Sequence, residues 1–177
     1  MLKAHFDELA GYNTWANTRL YEAAARLSDA AYRADGGAFF KSVHGTLNHL
    51  LATDRVWLSR CAGAQAVQGP VPTRLDAILF DDFSNLRSAR ALEDAAILRY
   101  VRGLEPAAFE GVIYYRRVST PDPEQQPLAQ ALAHWFNHQT HHRGQAHALL
   151  TQVAGKDGAP ELDLLFYQRL VKAGKAQ

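Results

Sequence analysis

Apolar residues recur at helical spacing along most of the chain. Over residues 2–28 they are Phe6, Leu9, Ala16, Leu20, Ala24 and Leu27, with Asn13 on the same stripe one turn before Ala16. Gly36-Gly37 interrupts the pattern, which resumes over residues 39–62 with Val43, Leu47, Leu50, Leu51, Leu58 and Cys61 on one side. A loop with Gly and two prolines, GAQAVQGPVPT, follows over 63–73. A third helix is predicted over 81–103, with Asp81 or Asp82 as N-cap and Gly103 at its end. Residues 109–119, FEGVIYYRRVS, are aromatic and β-branched and predict a short extended or hairpin segment. PDPEQQP then punctuates the chain, and Pro127 suits the first position of a fourth helix running to Ala154. A short tail helix is expected over 162–171. The pattern is all-α: a four-helix bundle, one domain over 1–177, with a hairpin excursion between helices 3 and 4.

Polar residues fall on these apolar faces. Asp54 lies mid-stripe in the second helix and must be paired if buried; Arg90 and Glu93 sit between apolar positions in the third. For Asp54 and Glu93 the expectation is an ion pair or a bond to a metal ligand, with direct ligation as the alternative. Asn13 is expected to bond across the bundle or to support a site.

The chain has 177 residues, 47% apolar and 21% charged, with a formal net charge of +1. No global basic field favours nucleic acid, and no basic stripe marks a DNA-binding face. No apolar run approaches the roughly 20 residues that span a bilayer. Met1 leads directly into a polar amphipathic pattern, so no signal peptide is expected. The single cysteine, Cys61, fits a reducing cytoplasm, and nothing in the sequence pairs it with a base.

Five of the eight histidines, His134, His138, His141, His142 and His147, crowd one stretch of the fourth helix. Each imidazole has two polar nitrogens needing partners, so such density suits a divalent metal better than packing. Residues four apart on a helix lie about 40° apart in azimuth and roughly 6 Å apart in rise. His134/His138 and His138/His142 have that spacing, and His138 belongs to every sensible pair, including His138/His141. His134 and His142, about 12 Å apart, cannot share an ion. His147 lies outside the pairs. A catalytic site usually takes three protein ligands, so another helix must supply the third. Periodicity slightly favours His44 over His49, and spacing alone leaves both open.

Four segments carry a family resemblance: YNTWANTRL (12–20), SVHGTLNHLLATDRVWL (42–58), FDDFSNLRSAR (80–90) and HWFNHQTHHRGQ (134–145). Through them nearly the whole chain resembles the DinB/YfiT-like family of small metal-binding four-helix-bundle proteins. The family pattern has one ligand in TLNHL and two in NHQTHHRGQ, which implies His49, His138 and His142 as metal ligands. His44, His134 and His141 then become candidates for supporting the ligands or walling the pocket, alongside Asp54, Glu93 and Asn13. The STPDPEQQP segment, with its three prolines, departs from the family's usual look and affects the pocket rim.

The resemblance implies a divalent ion, zinc or nickel first, manganese or iron as alternatives. It further implies a thiol-dependent S-transferase acting in detoxification or stress, on a small-molecule substrate with a low-molecular-weight thiol. A metal-dependent hydrolase and a non-catalytic, dimeric metal-binding stress protein are the alternatives. A homodimer, with no nucleic acid or membrane partner, is expected.

Overall fold

The computed structural model describes residues 1–118, 120 and 122–176. Its elements run α1 (Leu2–Ala24), α2 (Asp29–Arg33), α3 (Val43–Ala62), α4 (Phe83–Arg102), β1 (Val112–Arg116), β2 (Pro123–Pro127), α5 (Leu128–Ala154) and α6 (Leu164–Lys172). The long helices close a ring in which α1 and α3 each lie against both α4 and α5. The fold is mostly helical with one antiparallel hairpin, as the periodicity predicts. Among the described residues no helix is long and apolar enough to cross a membrane.

Side-chain caps move several boundaries. The first helix stops at Ala24 instead of 28, because the Ser28 hydroxyl accepts from Ala31 N–H and starts the separate turn α2. The second helix starts at Val43, not 39: the Ser42 hydroxyl accepts from Gly45 N–H at 3.0 Å. Before it, Lys41 at φ 66° turns the chain sharply. Asp82 caps α4 by accepting from Asn85 N–H at 2.8 Å, while Asp81 pairs with Arg33. PEQQP, read as punctuation, is instead the second hairpin strand, pairing Val112 with Pro127 and Arg116 with Pro123. Its prolines occupy the two strand ends, where the missing N–H interrupts least. Pro127 therefore precedes α5 instead of opening it. Ser119 and Pro121 of the proline-containing segment lie outside the described residues.

The apolar core is divided. One cluster gathers Phe6, Leu58, Ile97, Val101, Leu132, Trp135 and Phe136; the other gathers Leu20, Leu47, Leu50, Leu51, Leu86, Leu149 and Leu150. In each long helix the two sets fall on either side of buried polar residues. These are Asn13 and Asn17 in α1, Asp54 and Arg55 in α3, Arg90, Glu93 and Asp94 in α4, and Gln139 and Arg143 in α5.

These side chains pair chiefly with one another. Arg90 lies 2.6 Å from Asp54 and 2.9 Å from Asp94, and meets them as charge against charge, without well-aligned hydrogen bonds. Trp135 Nε1 donates to Asp54 at 2.5 Å, and Asn17 donates to Asp94 at 2.9 Å. Arg143 donates to Asn13, and Arg55 donates to Glu93 at 3.2 Å. Three carboxylates face three guanidiniums, so the layer is balanced in formal charge. Burial pushes Asp94 up to about 7 and raises Asp54 as well, while the Arg90 charge opposes both shifts.

Arg90→Leu would leave two buried carboxylates without their counter-charge. Breaking such a pair from one side costs about 3–5 kcal/mol. Because Arg90 lowers both carboxyl pKa values, its contribution is present at high pH and is lost as falling pH protonates the partners. Urea unfolding is expected to show the full loss at pH 8 and a smaller one at pH 5.

Candidate metal centre

The ring nitrogens of His49, His138 and His142 that face one another all lie within 4.8 Å. His49 comes from α3, and the other two come from successive turns of α5. Ring centroids are 5.3 Å apart for His49–His138, 4.3 Å for His49–His142 and 4.4 Å for His138–His142. The α5 pair is one of the three that spacing allows and the one the family resemblance implies, and the packing of α3 on α5 brings in the third.

Neighbouring groups set the ring orientations. His49 Nδ1 lies 2.7 Å from the carbonyl oxygen of Leu75. A carbonyl only accepts, so Nδ1 carries the hydrogen and Nε2 keeps its lone pair. That Nε2 is buried and has no hydrogen-bond partner among the described residues. His142 Nδ1 likewise donates to the Gln145 side-chain oxygen at 2.9 Å, which leaves its Nε2 bare. The Gln145 amide group donates in turn to His141 Nε2 at 3.2 Å. His138 Nδ1 is also buried and unpartnered. Bare, converging nitrogens suit a metal-binding imidazole set, and the far sides of His49 and His142 are anchored as such ligands require.

Burial keeps these rings neutral. It pushes His49 down to about 4, with the Leu75 bond opposing and His142 adding slightly. It pushes His138 down to about 3, helped by His142 and His49. His142 is also lowered, chiefly by burial. At pH 7 all three present lone pairs, the form that binds a metal.

Phe40 lies flat against His49, with ring centroids 3.7 Å apart. Its position is built in. A Cβ at residue 45 would come 2.1 Å from the Phe40 carbonyl oxygen, so only Gly45 admits this turn. The cluster opens onto a cavity of about 640 Å³ whose wall includes Phe39, Phe40, Leu75, Val118 and His141.

The other expected site residues fall elsewhere. His44 turns to the Phe80 carbonyl, 3.2 Å from its Nε2, and stacks edge-on with Tyr32. With Asn48, which bonds Leu79 and Phe80, it anchors the connection into α4. Among the described residues no hydrogen bond joins His44, Asp54, Glu93 or Asn13 to the three clustered histidines. The last three belong to the polar layer, where Glu93 also accepts from Gln68 N–H. His141 packs edge-on against His142, ring centroids 4.8 Å apart, and also meets it through Gln145. His134 is exposed beside Trp57, its ring centroid 5.9 Å from that of His138. His147 faces a small cleft near α6. Burial pushes the Cys61 thiol up to about 12, so it is not an anionic nucleophile at neutral pH.

Sequence reasoning missed Gln145, Phe40 and the Leu75 carbonyl. Only Gln145 had a signal, since it lies three residues after His142 and so on the same helix face.

Comparison with known proteins agrees with this geometry. The family model described as DinB family matches residues 1–171. Protein DinB of Bacillus subtilis (strain 168) is 26% identical over 184 residues, an alignment covering 96% of each chain. No solved structure gives a significant match. With the match spanning all four long helices and the three converging histidines, this chain belongs to the DinB family.

Proposed function

We propose that this protein is a divalent-metal-dependent enzyme in which His49, His138 and His142 hold the ion, and that it activates a small thiol for transfer to an electrophile. The observation carrying this reading is the buried, unpartnered Nε2 of His49 aimed at two neutral imidazoles on α5. An orphaned buried nitrogen costs about 1–3 kcal/mol unless something binds it. Three neutral nitrogen donors suit zinc or nickel and leave room for a substrate atom. When bound, such an ion supplies Lewis acidity that lowers the pKa of a thiol beside it.

The protein's own contribution is orientation and exclusion of water. Leu75 and Gln145 fix the ring tautomers, and Phe40 covers one face of His49. The apolar wall around Phe39, Leu75 and Val118 favours a hydrophobic electrophile. In the transfer, the thiol loses its proton, its sulfur lone pair forms the new S–C bond, and the leaving group departs with its bonding electrons. Detoxification of reactive electrophiles is the role this chemistry fits. Hydrolysis needs the same centre with water as nucleophile, and a thiol-dependence assay separates the two.

His138→Ala is expected to lower bound metal at least tenfold by elemental analysis, and His49→Ala to do the same. His44→Ala and His147→Ala are expected to keep wild-type metal content. Equal metal in wild type and His138→Ala would overturn the ligand assignment. Gln145→Leu removes the partner of His142 Nδ1 and is expected to weaken metal affinity by about 10–100-fold, measured by chelator competition. Metal-loaded protein is expected to consume an alkylating electrophile only with a small thiol present, and to stop when chelated. Turnover without thiol would favour the hydrolase, and metal at full stoichiometry with no turnover would favour a non-catalytic metal-binding protein.

A further inference from the structure

A second cavity, also of about 640 Å³, lies on the opposite side of His138. It shares Leu75, Val118 and His138 with the first, so one metal-facing ring borders both. Its character is different. Where the first is walled by phenylalanines, this one is lined by Trp57, Arg60, Tyr115, Arg117, Glu124 and His134. The α3 contribution continues the helix face of His49, from which Thr53, Trp57 and Arg60 follow at offsets of four, eight and eleven residues.

Arg60 is the unusual member. Its guanidinium is held against both Trp57 and Tyr115, at 4.5 and 4.3 Å from their ring centroids. One nitrogen donates to the Arg116 carbonyl at 3.3 Å. Among the described residues no carboxylate lies within ion-pair distance of it, although Glu124 lines the same cavity. Of the buried arginines near the bundle axis, Arg55 and Arg90 have carboxylates, while Arg143 is held by the Asn13 and Thr140 side chains. Stacking immobilises the guanidinium while leaving in-plane donors available, an arrangement suited to a planar anion. Burial lowers the Arg60 pKa. Glu124 in the same space disfavours a highly charged anion such as a phosphate and favours a single carboxylate.

We infer that Arg60 binds a carboxylate group on the small molecule whose reacting end lies at the histidine cluster, so that the two cavities are separate subsites for an anionic co-substrate and an apolar one. That assignment takes its catalytic meaning from the metal reading above, while the binding itself does not depend on it. For the thiol reaction it specifies a thiol that bears a carboxylate remote from its sulfur.

The test uses 6-mercaptohexanoate and its neutral amide as probes, with the full-length protein in zinc-loaded and metal-stripped forms. The Arg60 Nε–H resonance, followed by ¹H–¹⁵N NMR, is expected to shift saturably with the carboxylate and not with the amide in both forms. Arg60→Gln is expected to weaken carboxylate binding by about tenfold or more, to the level of the amide. Arg60→Lys is expected to retain part of the preference. No saturable shift in wild type, an equal response to the amide, or an undiminished preference in Arg60→Gln would overturn the assignment. An intact preference without thiol turnover would leave the anion site standing and overturn only the catalytic reading.

Discussion

The structure depends on closing a layer of buried charge across the middle of a helical bundle. Three carboxylates and three guanidiniums, contributed by α3, α4 and α5, are nearly inaccessible to water and rely on each other and on a few polar neighbours, among them Trp135, Gln68 and two α1 asparagines. Burying a lone charge of this kind costs several kcal/mol, so each helix must stand in the register that delivers its partner. Apolar surface on either side of the layer would tolerate sliding, because leucine against leucine is satisfied at many offsets. The polar layer would not.

That fixed register has a consequence at the edge of the layer. Gln139 and Arg143 face inward on α5, and Gln139 bonds Thr53 and the Leu50 carbonyl of α3. His138 and His142 immediately precede them and so turn to the adjacent flank. Thr53, one turn after His49, donates back to the His49 carbonyl. The contacts that lock α3 to α5 are thus adjacent in both chains to the residues that form the histidine cluster. Precision at the candidate centre comes from rigid helices and not from loops, with the long connection before α4 adding one carbonyl, that of Leu75.

The helices, the hairpin's first strand and the place of His138 among the α5 histidines were legible because each rests on a local period, while its pairing with His142 came from the family motif. Choosing between His44 and His49 was not, because both lie on the broad buried face of α3, where burial leaves hardly any residue from 43 to 58 exposed. Periodicity finds the side of a helix, but it does not say which neighbour a residue meets; the family motif supplied that. Asp54 and Glu93 read correctly as groups needing partners, yet the partners were up to 81 residues away and invisible to spacing. PEQQP failed as a strand prediction because its two prolines argue against a ladder, and only the register shows that they sit at its ends. Arg60 carries no sequence signal at all. Its isolation from carboxylates exists only once Trp57 and Tyr115 are brought to either side of it.

Anomalous diffraction from crystals of the metal-loaded protein, recorded at the absorption edge of the bound ion, tests the central claim most directly. The account predicts one strong peak at about 2.1 Å from a single nitrogen of each of His49, His138 and His142. A peak bonded to His44, Asp54 or Glu93, or a peak missing any one of the three histidines, would contradict it.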